Sequence, residues 1–139
     1  SIFGSETLKE LKYSLCTAEE KITKNITPRV SPFIKLQDAG SLLQKVGFQL
    51  PVIDNNKLVG ILTEDTIIRF VFGKPEMMNR SVSDAMETAF IKLDKETSID
   101  NLVALLHVQP YAAVMDDEIF LGLITRSDVL NYLRKKLSN

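Results

Sequence analysis

The 139-residue sequence predicts an α+β fold in which two pseudo-symmetric β-α-β-β-α units pack together behind an N-terminal lead-in helix. Three observations carry this expectation. The stretch Leu50 to Ile68 recurs without a gap 62 residues later, from Ala112 to Leu130, with Val52/Val114, Asp54/Asp116, Gly60/Gly122 and Thr63/Thr125 identical. Each copy reads as strand, turn, strand and helix. Finally, 45% hydrophobic and 25% charged residues suffice for one compact core, whereas a single repeat is too short to bury one. The halves are therefore expected to pack together and create a cleft between equivalent surfaces.

Along the chain, residues 5–24 are rich in Glu, Lys and Leu, and Leu8, Leu11, Leu15 and Ile22 form a helical stripe. Residues 26–30 are extended. Ser31-Pro32 then offers an N-cap and a proline at the first helical position, predicting a helix from Pro32 to Lys45 with Leu36, Ala39, Leu43 and Val46 inward, stopped by Gly47. Leu50 to Asp54 and Lys57 to Thr63 form a hairpin around Asn55-Asn56. Thr63-Glu64-Asp65 caps a helix through Ile67, Ile68 and Phe72, ended by Gly73 and Pro75.

After a linker the same order returns: a turn at Val82 to Met86, a strand at Phe90 to Leu93, and a helix from Thr97 capped by Asp100. Strands at Tyr111 to Met115 and Phe120 to Thr125 follow, then a last helix from Ser127 to Leu137. Phe33-Ile34-Lys35-Leu36 and Phe90-Ile91-Lys92-Leu93 are identical but 57 residues apart, out of step with the repeat. The first reads as helical and the second as a strand.

The bulk chemistry excludes several functions. A formal charge of −1 gives no field to hold a polyanion, and the basic clusters Lys21 to Lys24 and Arg134 to Lys136 lie at the two ends. No apolar run approaches the roughly 18 residues of a membrane span. The opening Ser1 is neither a signal peptide nor an initiating Met, and predicts a soluble fragment of a longer protein. One Cys and one His cannot build a His/Cys metal cluster or a nucleophile pair, so no metal site and no catalytic residue is expected. His107 reads as a packed or helix-end residue, Cys16 as a small hydrophobe, and Leu102, Leu105 and Leu106 as core. Met77-Met78 reads as flexible packing, and Glu19-Glu20 and Asp116 to Glu118 as solvated runs.

The doubled order of apolar-Pro-Val-apolar-Asp strand, turn, Leu-Val-Gly-apolar-apolar-Thr and helix resembles the tandem CBS-domain pair, or Bateman module, over about residues 26–137. The resemblance implies a lead-in helix and linker at 1–25, a first CBS motif at 26–73, a linker at 74–81 and a second motif at 82–139. Gly47-Phe48, Phe72-Gly73-Lys74-Pro75 and Asp128-Val129-Leu130-Asn131-Tyr132-Leu133 further resemble the C-terminal regulatory region of cystathionine β-synthases. This implies a non-catalytic, cytoplasmic regulatory module. It would pair with a second copy through its helices, regulate a pyridoxal-phosphate catalytic domain of transsulfuration, and have S-adenosylmethionine as a possible effector.

At the positions of the family's ligand site, Thr125 ends a strand and Asp128 lies in the next helix's first turn. A carboxylate there can accept both hydroxyls of a ribose, and the positive helix end suits anionic groups. The same residues also suit plain helix capping, and the two roles coexist. The first repeat has Thr66 where the second has Asp128, and a hydroxyl cannot accept two charge-assisted bonds. Glu64 and Asp65 precede that position and point elsewhere on the helix. The resemblance completes the adenosyl site with Ile26, Thr27, Phe48 and Gln49, and leaves Thr63, Thr66 and Tyr111 to a degenerate second site, with Tyr111 as a plug. The segment Gly47 to Pro51 is one residue shorter than the usual family form, which often has an Asp after the Phe that could contact a ligand amino group. Other readings are an AMP/ATP-sensing module of another enzyme or transporter, and a structural dimerisation module without a usable site.

Overall fold

The computed structural model describes residues 3–11, 28–47 and 49–138. They form two compact units, Pro28–Phe90 and a second that joins the described part of Ser1–Thr27 to that of Ile91–Asn139. Leu15, Cys16, Glu19, Glu20, Lys21, Ile22, Lys24, Ile26, Thr27 and Phe48, each named above, lie outside the described residues. Among the described residues no helix is long and apolar enough to cross a membrane.

The unit Pro28–Phe90 contains α1 (Leu36–Val46), β1 (Gln49–Asp54), β2 (Lys57–Thr63), α2 (Glu64–Val71), a 3₁₀ turn at Pro75–Asn79 and α3 (Val82–Ala85). Strands β1 and β2 pair antiparallel with Leu50 opposite Leu62, and Asn55 and Asn56 turn the hairpin at φ 50° and 64°. Such positive φ at both central residues matches the twist of paired strands, and asparagine tolerates it. Val30 adds a parallel bridge to β1: its N–H donates to Pro51 O at 3.1 Å, and Ile53 N–H donates to Val30 O at 2.8 Å. Leu36, Ala39 and Leu43 of α1 pack with Leu50, Val52, Leu62, Ile67 and Val82 in one core, and Met78 packs against it.

Helix α1 starts four residues later than Ser31-Pro32 predicts. Its N-cap is Lys35 at φ −74°, ψ 147°, while Ser31 Oγ accepts from Phe33 N–H and closes a local turn. The cause is tertiary. Leu36 N–H donates to Arg80 O, Val82 N–H to Ile34 O and Ser83 N–H to Pro32 O, each at 2.9 Å, which holds residues 32–35 out of the helix. In the quartet beginning at Phe33, only Leu36 is helical. At the other end Gly47 stops the helix as expected, with φ 112° and its N–H on Leu43 O at 2.9 Å.

Residues 81–90 lie with this unit. Val82 enters its core, and Ile61 and Glu87 exchange backbone hydrogen bonds of 2.9 and 2.8 Å. Met86 covers Gly60 so closely that a Cβ there would sit 2.5 Å from Met86 Sδ.

The other unit holds β3 (Lys92–Asp94), α4 (Ile99–Leu106), β4 (Tyr111–Asp116), β5 (Ile119–Thr125) and α5 (Arg126–Leu137). Parallel β3–β4 and antiparallel β4–β5 pairings make a three-stranded sheet, with Leu93 opposite Val114 and Ala112 opposite Ile124. Its register slips at Val114/Met115, where the first hairpin slips at Val52/Ile53, so the repeat reproduces even the irregularity.

Ser98, rather than Thr97 or Asp100, caps α4: its Oγ accepts from Asn101 N–H at 3.1 Å. Thr97 is held in the preceding turn, where its N–H donates to Asp94 O and its carbonyl accepts from Leu8 N–H, both at 2.9 Å.

The N-terminal segment is part of this core. Leu8 and Leu11 are fully buried with Ile99, Leu102, Leu106, Ala112, Val114 and Ile124. Burying two leucines contributes about 4 kcal/mol by area. Thr7 and Glu10 form a Thr-x-x-Glu cap that sequence reading passed over, with Thr7 N–H donating to Glu10 Oε2 at 2.7 Å. The Thr7 hydroxyl donates to the same oxygen, and this bond first, then the one from the backbone N–H, holds the Glu10 carboxyl below its ordinary pKa. Phe3 stacks on Tyr132 of α5 at 6.5 Å, and Lys136 pairs with Glu6.

Candidate functional site

Two helix N-termini related by the repeat form the pair of candidate positions. Both follow the last strand of a hairpin, and both place the cap residue in extended backbone: Thr63 at φ −129°, ψ 165° and Thr125 at φ −121°, ψ 173°. The strand delivers the hydroxyl, and the helix's first turn returns the third residue to it.

At α5, Thr125 N–H donates to Asp128 Oδ2 at 2.9 Å, and Asp128 N–H reaches Thr125 Oγ1 at 3.4 Å. The capping role is therefore real. It uses one carboxylate oxygen; Oδ1 accepts no hydrogen bond among the described residues. Both side chains are half-buried.

At α2 the hydroxyl of Thr66 replaces the carboxylate and is fully engaged. It accepts from Thr63 N–H at 2.9 Å and donates its proton to Thr63 O at 2.8 Å, while Thr66 N–H donates to Thr63 Oγ1 at 3.1 Å. One box keeps an anionic acceptor in reserve and the other keeps none. This difference rests on oxygen count: a carboxylate offers about four lone-pair sites, a hydroxyl one donor and two.

Of the remaining predicted residues, Gln49 is half-buried on β1 opposite Thr63, and Tyr111 is half-buried on β4 opposite Thr125. The structure thus brings Thr125 to Asp128 and Thr63 to Thr66. Each of Gln49 and Tyr111 is the cross-strand neighbour of the threonine in its own unit. Among the described residues no group of three or more His, Cys, Asp or Glu side chains could hold a metal ion.

Arg126 was missed by sequence reading. Its Nε donates to Leu106 O at 2.6 Å, tying the start of α5 to the end of α4. The carbonyls at a helix's last turn need such donors. Matching Arg126 against Glu64 in the repeat would have flagged it. His107 ends α4 as expected, with its backbone N–H on the last turn, and Leu102 and Leu106 are core.

A protein-family model described as CBS domain matches residues 21–73 and again 82–135. The chain belongs to the CBS-domain family. Its two CBS repeats contain the two threonine boxes at corresponding places. The crystal structure of a CBS domain-containing protein of unknown function from Bacillus anthracis str. Ames Ancestor matches with a TM-score of 0.77 at 23% identity, covering 96% of each chain, a likeness of fold.

Among curated proteins, the cystathionine beta-synthase of Dictyostelium discoideum is 28% identical over 135 residues, covering 91% of this chain and 27% of that protein. The mitochondrial arginine-hydroxylase NDUFAF5 of the same organism is 45% identical over 58 residues, covering 42% of this chain and 13% of that protein. The matched parts of the chain thus span about a quarter of the length of the first relative and 13% of the second.

Proposed function

We propose that this CBS pair is the regulatory module of a larger enzyme resembling cystathionine β-synthase, and that it takes one adenosyl ligand at the Thr125–Asp128 helix start. The observation that carries this reading is the asymmetry between the boxes. Asp128 caps α5 with Oδ2 and retains Oδ1 for a diol, whereas Thr66 spends its proton and its acceptor capacity on Thr63. The adenosyl group would be completed by Ile26, Thr27, Phe48 and Gln49. The Thr63, Thr66 and Tyr111 position would stay empty.

In such a parent the pyridoxal phosphate and all bond-making lie in the catalytic domain. The module's residues bind and orient the effector, and shift the balance between two arrangements of paired modules that open or block the active-site entrance. A coupling of about 1–3 kcal/mol suffices. The parent would act in cytoplasmic cysteine biosynthesis by transsulfuration, with this module contacting the catalytic domain of its own chain and a second copy of itself.

Calorimetric titration with S-adenosylmethionine, AMP and ATP tests this. One binding event per chain, lost in Asp128→Ala and retained in Thr66→Ala, supports the reading. Preference for AMP or ATP would move the parent to another enzyme or transporter, and no binding beside a robust dimer would leave a structural dimerisation module.

A further inference from the structure

Each unit is closed by a short segment docked through the same backbone bonds, drawn from different parts of the chain. In the unit Pro28–Phe90, Leu36 N–H donates to Arg80 O, Val82 N–H to Ile34 O and Ser83 N–H to Pro32 O, and Ser81 bridges to Lys35. In the other unit, Ile99 N–H donates to Glu6 O at 3.1 Å, Leu8 N–H to Thr97 O and Lys9 N–H to Lys95 O at 2.9 Å, and Thr7 bridges to Ser98. Glu6, Thr7, Leu8 and Lys9 thus take the places of Arg80, Ser81, Val82 and Ser83. The local bond recurs too, from the Thr7 hydroxyl to Glu10 and from the Ser81 hydroxyl to Asp84.

The N-terminal segment also grips α5 through side chains. Phe3 stacks on Tyr132 with ring centroids 6.5 Å apart, and Glu6 pairs with Lys136. Both contacts land on the stripe of α5 that begins at Asp128, because residues four apart on a helix share a face. From Asp128 to Lys136 that stripe runs about 12 Å. Helix α2 offers no such handle. It has 8 residues against the 12 of α5, Phe70 at the repeat position of Tyr132 packs against its own core, and Lys74 at that of Lys136 lies beyond the helix. The helix that carries the carboxylate is the one that is gripped.

Helix α5 depends on such contacts. None of its residues is fully buried, and Val129 and Tyr132 pack against the core only half-buried. Elements with few buried apolar contacts open at low free energy. The Arg126–Leu106 bond holds the start of α5, and the N-terminal segment holds its later turns.

We propose that residues 3–11 are a releasable clasp coupled to the Thr125–Asp128 helix start. A ligand that orders the first turn of α5 and a clasp that holds its later turns stabilise one weakly held helix, so each tightens the other. This rests on the adenosyl reading above and adds its output: the N-terminal segment is the element that reports occupancy. Ligand binding shifts the clasp from released to docked.

NMR amide exchange on the whole chain compares wild type, Phe3→Ala and Lys136→Gln, first without ligand and then with S-adenosylmethionine, AMP or ATP. Without ligand, Phe3→Ala should speed exchange at Thr125 N–H, which donates to Asp128, by about two- to tenfold, the worth of an aromatic pair. Lys136→Gln should speed it about twofold, as an exposed ion pair allows. Thr63 N–H, which Thr66 holds at the matched place of the first unit, should keep its rate. An unchanged Thr125 rate in Phe3→Ala, or equal acceleration at Thr63, overturns the clasp. With ligand, the Leu8 and Lys9 amides should exchange a few-fold more slowly, and Phe3→Ala should weaken binding by the same factor. Binding that leaves Leu8 and Lys9 unchanged overturns the coupling and spares the adenosyl site. No binding, beside a faster Thr125 N–H in Phe3→Ala, overturns the adenosyl reading and spares the clasp on α5.

Discussion

Replacing Asp128 by Thr separates its two roles, because the first repeat already shows how threonine behaves at that place. Removing the side chain altogether, in Asp128→Ala, deletes the 2.9 Å bond that satisfies Thr125 N–H and a negative charge at the start of α5. Lost capping contributions of this kind cost about 1–2 kcal/mol. For a chain of this size that lowers Tm by roughly 3–8 °C. Thr66 meets the same backbone demand with a 2.9 Å bond from Thr63 N–H and a 2.8 Å bond to Thr63 O. Asp128→Thr should therefore rebuild this box and stay within about 0.5 kcal/mol of wild type, the residual being the lost dipole interaction. Thermal unfolding by circular dichroism, at matched concentration and in the absence of ligand, compares the three proteins. Equal destabilisation of Asp128→Ala and Asp128→Thr would refute the equivalence of the two boxes, and with it the claim that the carboxylate exceeds what capping requires.

Three further outcomes follow from the fold. Leu8→Ala empties a fully buried position and should cost about 2–5 kcal/mol in denaturant unfolding, although Leu8 stands far from the repeats in sequence. Ser98→Ala should cost about 1 kcal/mol through the Asn101 N–H it leaves unsatisfied, whereas Thr97→Ser should cost little because Thr97 acts through its backbone. Glu10 has a folded pKa lowered first by its side-chain bond from Thr7, so its contribution is present above the unfolded carboxyl range and is lost as pH falls through the folded value. In Thr7→Val, NMR titration should show the Glu10 carboxyl moving back towards its ordinary pKa.

The elements that local chemistry decides were legible in the sequence. The hairpins, the first with its asparagine turn, the Gly47 stop and the Thr-initiated helices are specified by a few adjacent residues, and the structure has them where the repeat places them. The departures occur where distant backbone overrides a local signal. Ser31-Pro32 is a sound helix start, but residues 80–83 bond to residues 32–36 and delay α1 to Leu36. Thr97 is displaced as a cap because the N-terminal segment takes its carbonyl. For the same reason Val82 is core in the first compact unit although it follows the linker in sequence. At the site, the Thr66/Asp128 contrast was readable by matching the two repeats position by position. That the threonine hydroxyl is fully consumed, and that Arg126 is anchored on Leu106, depended on geometry that spacing does not carry.

The central claim is that the fold is duplicated and the chemistry is not. Its most direct test is the stoichiometry of adenosyl-ligand binding, by calorimetry, to wild type and to the stably folded Asp128→Thr variant. The account predicts one ligand per chain in wild type and none in the variant. Two equivalent ligands per chain, or undiminished binding to Asp128→Thr, would contradict it.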